Sequence, residues 1–179
     1  MSKNINIRII TVFFYLCSLS VLLAQQDAQY TQYMYNMNIV NPAYAGSKEH
    51  TLSIGLMGRT QWINVPDAPQ SATFSIHKPL KNGIGLGLSI MTDQLGPVKE
   101  HFAYADISYT IPVGLYSNFA FGLKGGVSMM NAKLADIQTY LPDDEAFAED
   151  INQIKPNIGT GIFLYSDQYY IGFSLPNLL

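Results

Sequence analysis

The sequence contains a single cysteine, Cys17, which lies within an apolar run close to the N-terminus. Residues 1–24 place Lys3 and Arg8 before or at the start of that run and Ala24 after it, an arrangement that predicts a cleavable secretory signal. The mature chain then has no cysteine. Disulfides, thiolate metal ligands and cysteine nucleophiles are therefore excluded from it.

The N-terminal run is too short for a membrane-spanning helix, and the chain has few basic residues. The run has about 15 residues, whereas a helix needs roughly 20 to cross a bilayer. Removal of Lys3 and Arg8 leaves 8 of the 10 basic residues against 13 acidic ones, a formal charge of −5. This excess of acidic residues argues against nucleic acid as a partner.

Helical periodicity is lacking after residue 50. Instead, apolar residues alternate with small or polar ones in seven successive segments, a pattern typical of strands with two different faces. The segments are 52–57, 72–77, 84–90, 102–111, 119–124, 158–164 and 169–175. The pattern predicts an all-β protein in which residues 51–179 form the strands.

The predicted connections between these segments alternate in length. Long ones at 60–70, 93–100 and 131–156 alternate with short ones at 80–82, 113–117 and 166–168. Such alternation is typical of an antiparallel up-and-down outer-membrane β-barrel with short periplasmic turns and longer extracellular loops. It predicts a periplasmic N-terminus, and an aliphatic strand face in contact with outer-membrane lipid.

Finer features of the predicted barrel also follow from the pattern. Strands of about nine to eleven residues are long enough to cross the hydrocarbon layer. Gly125-Gly126 interrupts the alternation and predicts a bulge or bend. Aromatic residues near the short connections predict a girdle at the periplasmic interface. They are Tyr109, Tyr116, Phe119, Tyr165, Tyr169 and Tyr170.

Seven strands are fewer than the eight that the smallest closed outer-membrane barrels use. The sequence therefore predicts an incomplete barrel, or a truncated chain, with an open strand edge. A soluble secreted β-domain is the alternative, because alternation alone does not show whether the apolar face meets lipid or a protein core. The uncharged aliphatic face and the glycine, serine and threonine of the opposite face favour the membrane protein.

The sequence offers no convincing catalytic, metal or cofactor site, and we do not expect an enzyme. His50, His77 and His101 are far apart and lack the spacing of metal ligands. Asp106 and Lys124 lie on the small, polar face of two consecutive segments. Because consecutive antiparallel strands pair, these two side chains are candidates for an ion pair in the lumen.

The predicted connection 131–156 carries six acidic residues against two lysines. Clustered carboxylates suggest calcium binding, but the regular spacing and the turn glycine of an EF-hand loop are missing. A solvated external loop is the default interpretation. Its length makes it the best candidate of the connections for meeting a partner.

Residues 25–50 differ from the strands because they are rich in aromatic and amide side chains. They contain Gln-Tyr-Met-Tyr-Asn at 32–36 and Asn-Pro-Ala-Tyr-Ala-Gly at 41–46. Together with Arg-Thr-Gln-Trp at 59–62 and Asp-Gln-Leu-Gly-Pro at 93–97, these motifs resemble those of the PorP/SprF family of Bacteroidetes outer-membrane proteins. The resemblance covers essentially all of the mature chain, as the N-terminal part of a typical member.

The resemblance implies an outer-membrane barrel that serves type IX secretion, with adhesin display and gliding motility in some members. The implied partners are secreted proteins with a C-terminal sorting domain and other type IX secretion components. The resemblance implies no catalytic residue. Matching motif positions are carried over as candidate binding residues: Tyr33, Asn41, Pro42, Tyr44, Gly46, Arg59 and Trp62. The tyrosines of 30–44 either pack at the periplasmic mouth or begin the barrel wall.

Three functions remain open on the sequence. The leading hypothesis is a docking platform that anchors exported surface proteins through its external loops. A general porin or solute channel is the second, because a glycine-rich inner face permits an open lumen. The third is a soluble secreted β-domain.

Overall fold

The computed structural model describes residues 33–47, 51–134 and 149–178. The predicted signal at 1–24, His50 and most of the acidic stretch within 131–156 lie outside the described residues. The strands are β1 (Ser53–Thr60), β2 (Gln70–Pro79), β3 (Ile84–Leu95), β4 (Val98–Val113), β5 (Ser117–Ala132), β6 (Ile151–Ser166) and β7 (Tyr170–Leu175). The helix α1 (Met37–Val40) and short 3-10 turns at Tyr33–Tyr35, Pro42–Tyr44 and Lys81–Gly83 complete the fold.

The seven strands form one antiparallel sheet in the order β1 to β7, so that each strand pairs with its neighbours in sequence. The sheet curls into a half-barrel, and among the described residues β1 and β7 are its two edges. The predicted all-β, up-and-down architecture with seven strands is confirmed. At one end of the sheet, here called the turn end, lie the connections 80–83, 114–116 and 167–169; the opposite end is the loop end.

The turn end is closed by residues that tolerate a left-handed backbone. Asn82 and Gly83 have φ values of 63° and 75° between β2 and β3, and Gly114 has 77° between β4 and β5. Asn-Gly in this conformation suits the twist of a tight hairpin. These local choices fix the register of the β2–β3 and β4–β5 hairpins.

The alternation of the sequence becomes a convex apolar face and a concave polar face. Ile54, Ile76 and Leu88 are consecutive partners in the register, and they form one row on the convex face. The concave face carries Ser75 and Ser89, which are among the most deeply buried side chains of the protein. The sheet is therefore apolar outside and polar inside, as an outer-membrane strand pattern requires.

Three strands are longer than expected, and this corrects the predicted connections. β4, β5 and β6 have 16 residues each. The predicted long connection 93–100 is a turn of Gly96 and Pro97, because β3 continues to Leu95. The predicted connection 131–156 shortens to 133–150. Backbone pairing continues beyond the apolar band, where side-chain alternation no longer marks a strand.

Of the bulge or bend predicted at Gly125-Gly126, the bulge is absent from the register. Gly125 pairs with Ala105 on one side and Ile158 on the other, and Gly126 follows in the same register. A Cβ on Gly126 would overlap the carbonyl oxygen of Ala103 and the ring of Tyr104. The glycine at this position therefore provides space for the tyrosine and leaves the ladder unbroken.

The predicted aromatic girdle is only partly correct. Tyr109, Tyr116 and Tyr169 are exposed near the turn end. Tyr165 instead stacks on Phe163 inside the curve, with ring centroids 5.2 Å apart. Tyr170 also lies on the concave side, 5.8 Å from the Phe163 ring. Strand parity, which the position near a turn does not reveal, sends these two rings inward.

Candidate functional site

Residues 33–47, here called the inner segment, lie against the concave face of the sheet. Their path is set by Asn41, which has extended φ and ψ of −134° and 110° and precedes Pro42. The Asn41 side chain accepts a hydrogen bond from the Ala43 N–H at 3.0 Å. An asparagine cap followed by proline is a favourable start for a helical turn, so the Asn-Pro motif directs the chain into the turn at Pro42–Tyr44.

Glycines on the concave face allow this segment to touch the sheet backbone. A Cβ on Gly122 would overlap the backbone of Pro42 and Ala43. A Cβ on Gly161 would overlap the Asn41 side chain in the same way. Only a residue without a side chain permits so close an approach. The glycine-rich face is thus the floor on which the inner segment packs.

Hydrogen bonds from three strands hold the inner segment. The Asn41 Nδ2 donates to the Ile162 carbonyl of β6 at 3.0 Å. The Gly46 N–H donates to His77 Nδ1 of β2 at 3.2 Å. The Ser108 hydroxyl of β4 donates to the carbonyl of Ala45. Because these strands are distant in sequence, the bonds to the inner segment also stabilise the curvature of the sheet.

Tyr44 lies in an aromatic cluster on the concave side of the turn end. Its ring is 5.5 Å from His77 and 5.4 Å from Phe163, both in edge-to-face geometry. Ala43 and Ala120 are completely buried beside this cluster. Edge-to-face pairs stabilise by about 0.5–1.5 kcal/mol beyond the area that they bury. The cluster therefore fixes the C-terminal half of the inner segment.

Asp106 and Lys124 lie beneath the N-terminal half of the inner segment. Their Oδ1 and Nζ atoms are 3.7 Å apart, and the side chains are 0% and 1% exposed. Lys124 Nζ also donates to the carbonyls of Asn38, at 3.2 Å, and of Ile39. It lies 5.1 Å from the centroid of the Tyr104 ring.

The arrangement supplies a hydrogen-bond donor to the carbonyls at the end of α1, and this explains it better than a role as a reactive group. The last carbonyls of a helix lack partners within the helix, and a cation placed there compensates them. The charge of Asp106 in turn offsets that of Lys124. The pair therefore anchors the inner segment to β4 and β5.

The structure separates the candidate binding residues into two groups. Asn41, Pro42, Tyr44 and Gly46 belong to the inner segment, and Tyr33 begins it as an exposed residue. The other two members, Arg59 and Trp62, lie at the loop end, where Arg59 is opposite Ser71. Ser71 is six residues along β2 from His77, roughly 20 Å.

Of the two placements expected for the tyrosines of 30–44, the structure contradicts the start of the barrel wall, whereas Tyr44 packs on the concave side of the turn end. Residues 33–44 form helical turns and are not a strand of the barrel wall. Within the curve of the sheet they extend from the turn end past Lys124, to where Ile39 packs on Tyr104 and Met91.

Sequence reasoning missed the sheet residues that receive the inner segment. The sequence shows His77 only as a histidine without the spacing of a metal ligand, and no motif distinguishes Phe163 or Ser108. The available indication was the repetition of glycine on one strand face, at 85, 87, 122 and 161. That repetition was compatible with an open lumen as well as with close backbone contact.

The described residues contain neither a metal-binding cluster nor a membrane-spanning helix. No group of three or more His, Cys, Asp or Glu side chains in the described ranges is placed to hold a metal ion. Within the same ranges, no helix combines the length and apolar character that crossing a bilayer requires.

The family described as type IX secretion system membrane protein PorP/SprF matches residues 22–179. The chain belongs to the PorP/SprF family. This PorP/SprF protein is accordingly a membrane protein of the type IX secretion system, and its convex apolar face is suited to lipid. No curated protein and no solved structure matches the chain significantly.

Proposed function

We propose that this protein is a docking platform in the outer membrane. It holds exported proteins that carry C-terminal sorting domains, adhesins among them, and works with other type IX secretion components. Adhesin display in this way supports gliding motility. The role is one of binding and requires no catalysis.

The observation that carries the proposal is the packing of the inner segment on the concave face. Asn38 and Pro42 are fully buried between segment and sheet, and Ala43 and Ala45 are 0% exposed. A porin needs a wide aqueous path beside this face. Occupation of the face by the protein's own chain favours a platform over the porin hypothesis.

The convex face supports the membrane location over a secreted soluble domain. Leu56, Leu88 and Leu123 are 78%, 45% and 62% exposed, although each belongs to a regular strand. Soluble monomers rarely expose an apolar surface that extends over a whole sheet. This surface is suited to contact with membrane lipid.

The orientation is part of the proposal. Two of the three connections at the loop end, 61–69 and 133–150, are longer than any at the turn end, and the third is the two-residue turn Gly96-Pro97. Outer-membrane barrels place their short turns in the periplasm. The loop end is then extracellular, where exported proteins are held.

The first test is binding by the chain reconstituted in lipid nanodiscs. We expect saturable binding of a purified exported protein that carries a type IX sorting domain. The same protein without its sorting domain is the control and is expected not to bind. Equal binding of both forms, or binding of neither, would contradict the platform.

The second test fixes the inner segment covalently. A Cβ on Gly87 would be 3.3 Å from Cβ of Ala45, slightly less than the 3.5–4.5 Å typical of disulfides. Ala45→Cys/Gly87→Cys in the mature chain should therefore form a disulfide after a small adjustment. We expect no ion conductance in planar bilayers before or after oxidation. Conductance that disappears on oxidation would instead identify a channel closed by the inner segment.

A further inference from the structure

The connection between β1 and β2, residues 61–69, has an unusual backbone. Trp62, Asn64 and Asp67 have φ values of 48°, 74° and 57°, in the left-handed region that side chains disfavour. For a bulky residue such as tryptophan, this conformation is a true outlier. Strain of this kind persists where the surrounding structure imposes it, and it is frequent at binding sites.

Hydrogen bonds hold this connection in one shape. The Gln61 N–H donates to the Pro69 carbonyl, and the Val65 N–H to that of Trp62, both at 3.0 Å. The Gly96 N–H donates to the Asp67 carbonyl at 3.1 Å, which ties the connection to the β3–β4 turn. The connection is thus an ordered element of the loop end.

This backbone conformation leaves three apolar side chains exposed to solvent. Trp62, Ile63 and Val65, here called the outer triplet, are 68%, 77% and 54% exposed. Apolar groups held in water on an ordered loop reduce solubility and add nothing to the fold. Exposed apolar surface of this kind marks a contact with another molecule.

A row of polar residues separates the outer triplet from the lipid-facing surface. Consecutive register partners on the convex face of β1 to β6 form the row: Thr60, Gln70, Gln94, Lys99, Asn131 and Asn152. Asn131 Nδ2 donates to Asn152 Oδ1 at 2.6 Å within it. Leu56 belongs to the apolar band. Thr60 is four residues beyond it on β1, roughly 13 Å further along the strand. Lipid tails therefore end below the triplet.

We propose that the outer triplet is the contact surface for the exported polypeptide, with Trp62 and Ile63 entering an apolar pocket on it. This inference rests on the docking function and orientation proposed above. Tryptophan, with tyrosine and arginine, is enriched at the energetic centres of protein interfaces. A loop already fixed in its bound shape loses little conformational entropy on binding, which favours affinity.

Trp62 is the only tryptophan of the chain, so its fluorescence reports on this site alone. The chain in lipid nanodiscs is titrated with a type IX sorting-domain protein that contains no tryptophan. We expect a blue shift of the Trp62 emission, because the ring moves from water into an apolar pocket. In nanodiscs of brominated lipid, without the sorting-domain protein, we expect no quenching.

The decisive variant is Trp62→Gly, which removes the ring and relieves the left-handed backbone. Glycine adopts this conformation freely, so the variant should fold and insert as the parent does. We expect it to bind a fluorescently labelled sorting-domain protein about tenfold or more weakly, as measured by anisotropy. Asn64→Gly, at a second left-handed position of the same loop, should bind as the parent does. Tyr116→Ala, an exposed aromatic residue of the turn end, should also leave binding unchanged.

The outcomes separate this inference from the function on which it rests. Binding with no blue shift, and with equal affinity of Trp62→Gly and the parent, leaves the docking function intact and overturns the role of the triplet. Strong quenching by brominated lipid also overturns it, because the triplet is then a lipid anchor. Absence of binding by the parent chain refutes the docking function, and with it this inference.

Discussion

The two faces of the sheet are made by the same strands but are covered by different materials. On the convex face, Leu56 and Leu123 remain exposed in the protein itself, as suits contact with lipid. On the concave face, Ser75 and Ser89 are buried, at 1% and 0% exposure, beneath a segment of the same chain. Polarity therefore does not predict burial here. What decides burial is which partner each face meets.

The largest effect is expected for removal of the concave cation. Lys124→Met leaves the Asp106 carboxylate buried without its counter-ion and the carbonyls of Asn38 and Ile39 without their donor. Loss of one member of a buried pair costs about 3–5 kcal/mol of stability. We expect the free energy of unfolding to fall by the same amount. The measurement is urea unfolding in detergent micelles, with heat-modifiable gel migration as the readout of the folded fraction.

Leu123→Met is the control for this variant, because it changes the neighbouring residue on the convex face. It should cost little, since the two side chains have similar volume and polarity. The double variant Lys124→Met/Asp106→Asn should recover part of the loss. If Lys124→Met is as stable as the control, the buried pair does not anchor the inner segment.

The next largest effect is expected on the convex face. Leu88 lies in the row of Ile54 and Ile76, well inside the apolar band. Leu88→Arg places a charge in lipid and should cost about 2–4 kcal/mol. The measurement is the fraction of chain that folds into lipid vesicles as urea is diluted.

Gln94→Arg is the matched control, on the same strand and face but in the polar row. It should insert nearly as well as the parent, because the cost of a charge falls toward the interface. Equal insertion of Leu88→Arg and the parent would show that the convex face does not meet lipid.

The smallest effect compares two glycines of β5. Gly122→Val directs a side chain into the backbone of Pro42 and Ala43, and the resulting overpacking should cost about 1–3 kcal/mol. We expect the inner segment to loosen, so that chymotrypsin cleaves at Tyr33, Tyr35 or Tyr44 faster than in the parent. Gly125→Val is the control, since a Cβ on Gly125 meets nothing within 4 Å. Equal cleavage of both variants would show that the close contact at Gly122 does not hold the inner segment on the sheet.

The strands were predictable because the sequence of each strand alternates between apolar and small or polar residues. Alternation from Ile84 to Ile90 gives the two faces of β3, and Asn82-Gly83 closes the hairpin before it. The alternation also placed Asp106 and Lys124 on one face of neighbouring strands. The ends of β4, β5 and β6 were not predictable in the same way, because polar stretches pair through their backbones and leave no alternation.

The candidate site was predictable only in part. The Asn-Pro-Ala-Tyr-Ala-Gly motif indicated that residues 41–46 were special, but not that they lie over Gly122 and Gly161. Trp62 stood out in the sequence through its motif, whereas its exposed position beyond a polar row emerges only from the register of six strands.

The sequence by itself determined an antiparallel, up-and-down sheet with one apolar and one polar face, because a period of two and short turns are local properties. Only the tertiary structure decided that the polar face is covered by the inner segment and that Lys124 compensates the end of α1. Those contacts join residues more than 80 positions apart. They depend on how far the sheet curls, which no local pattern specifies.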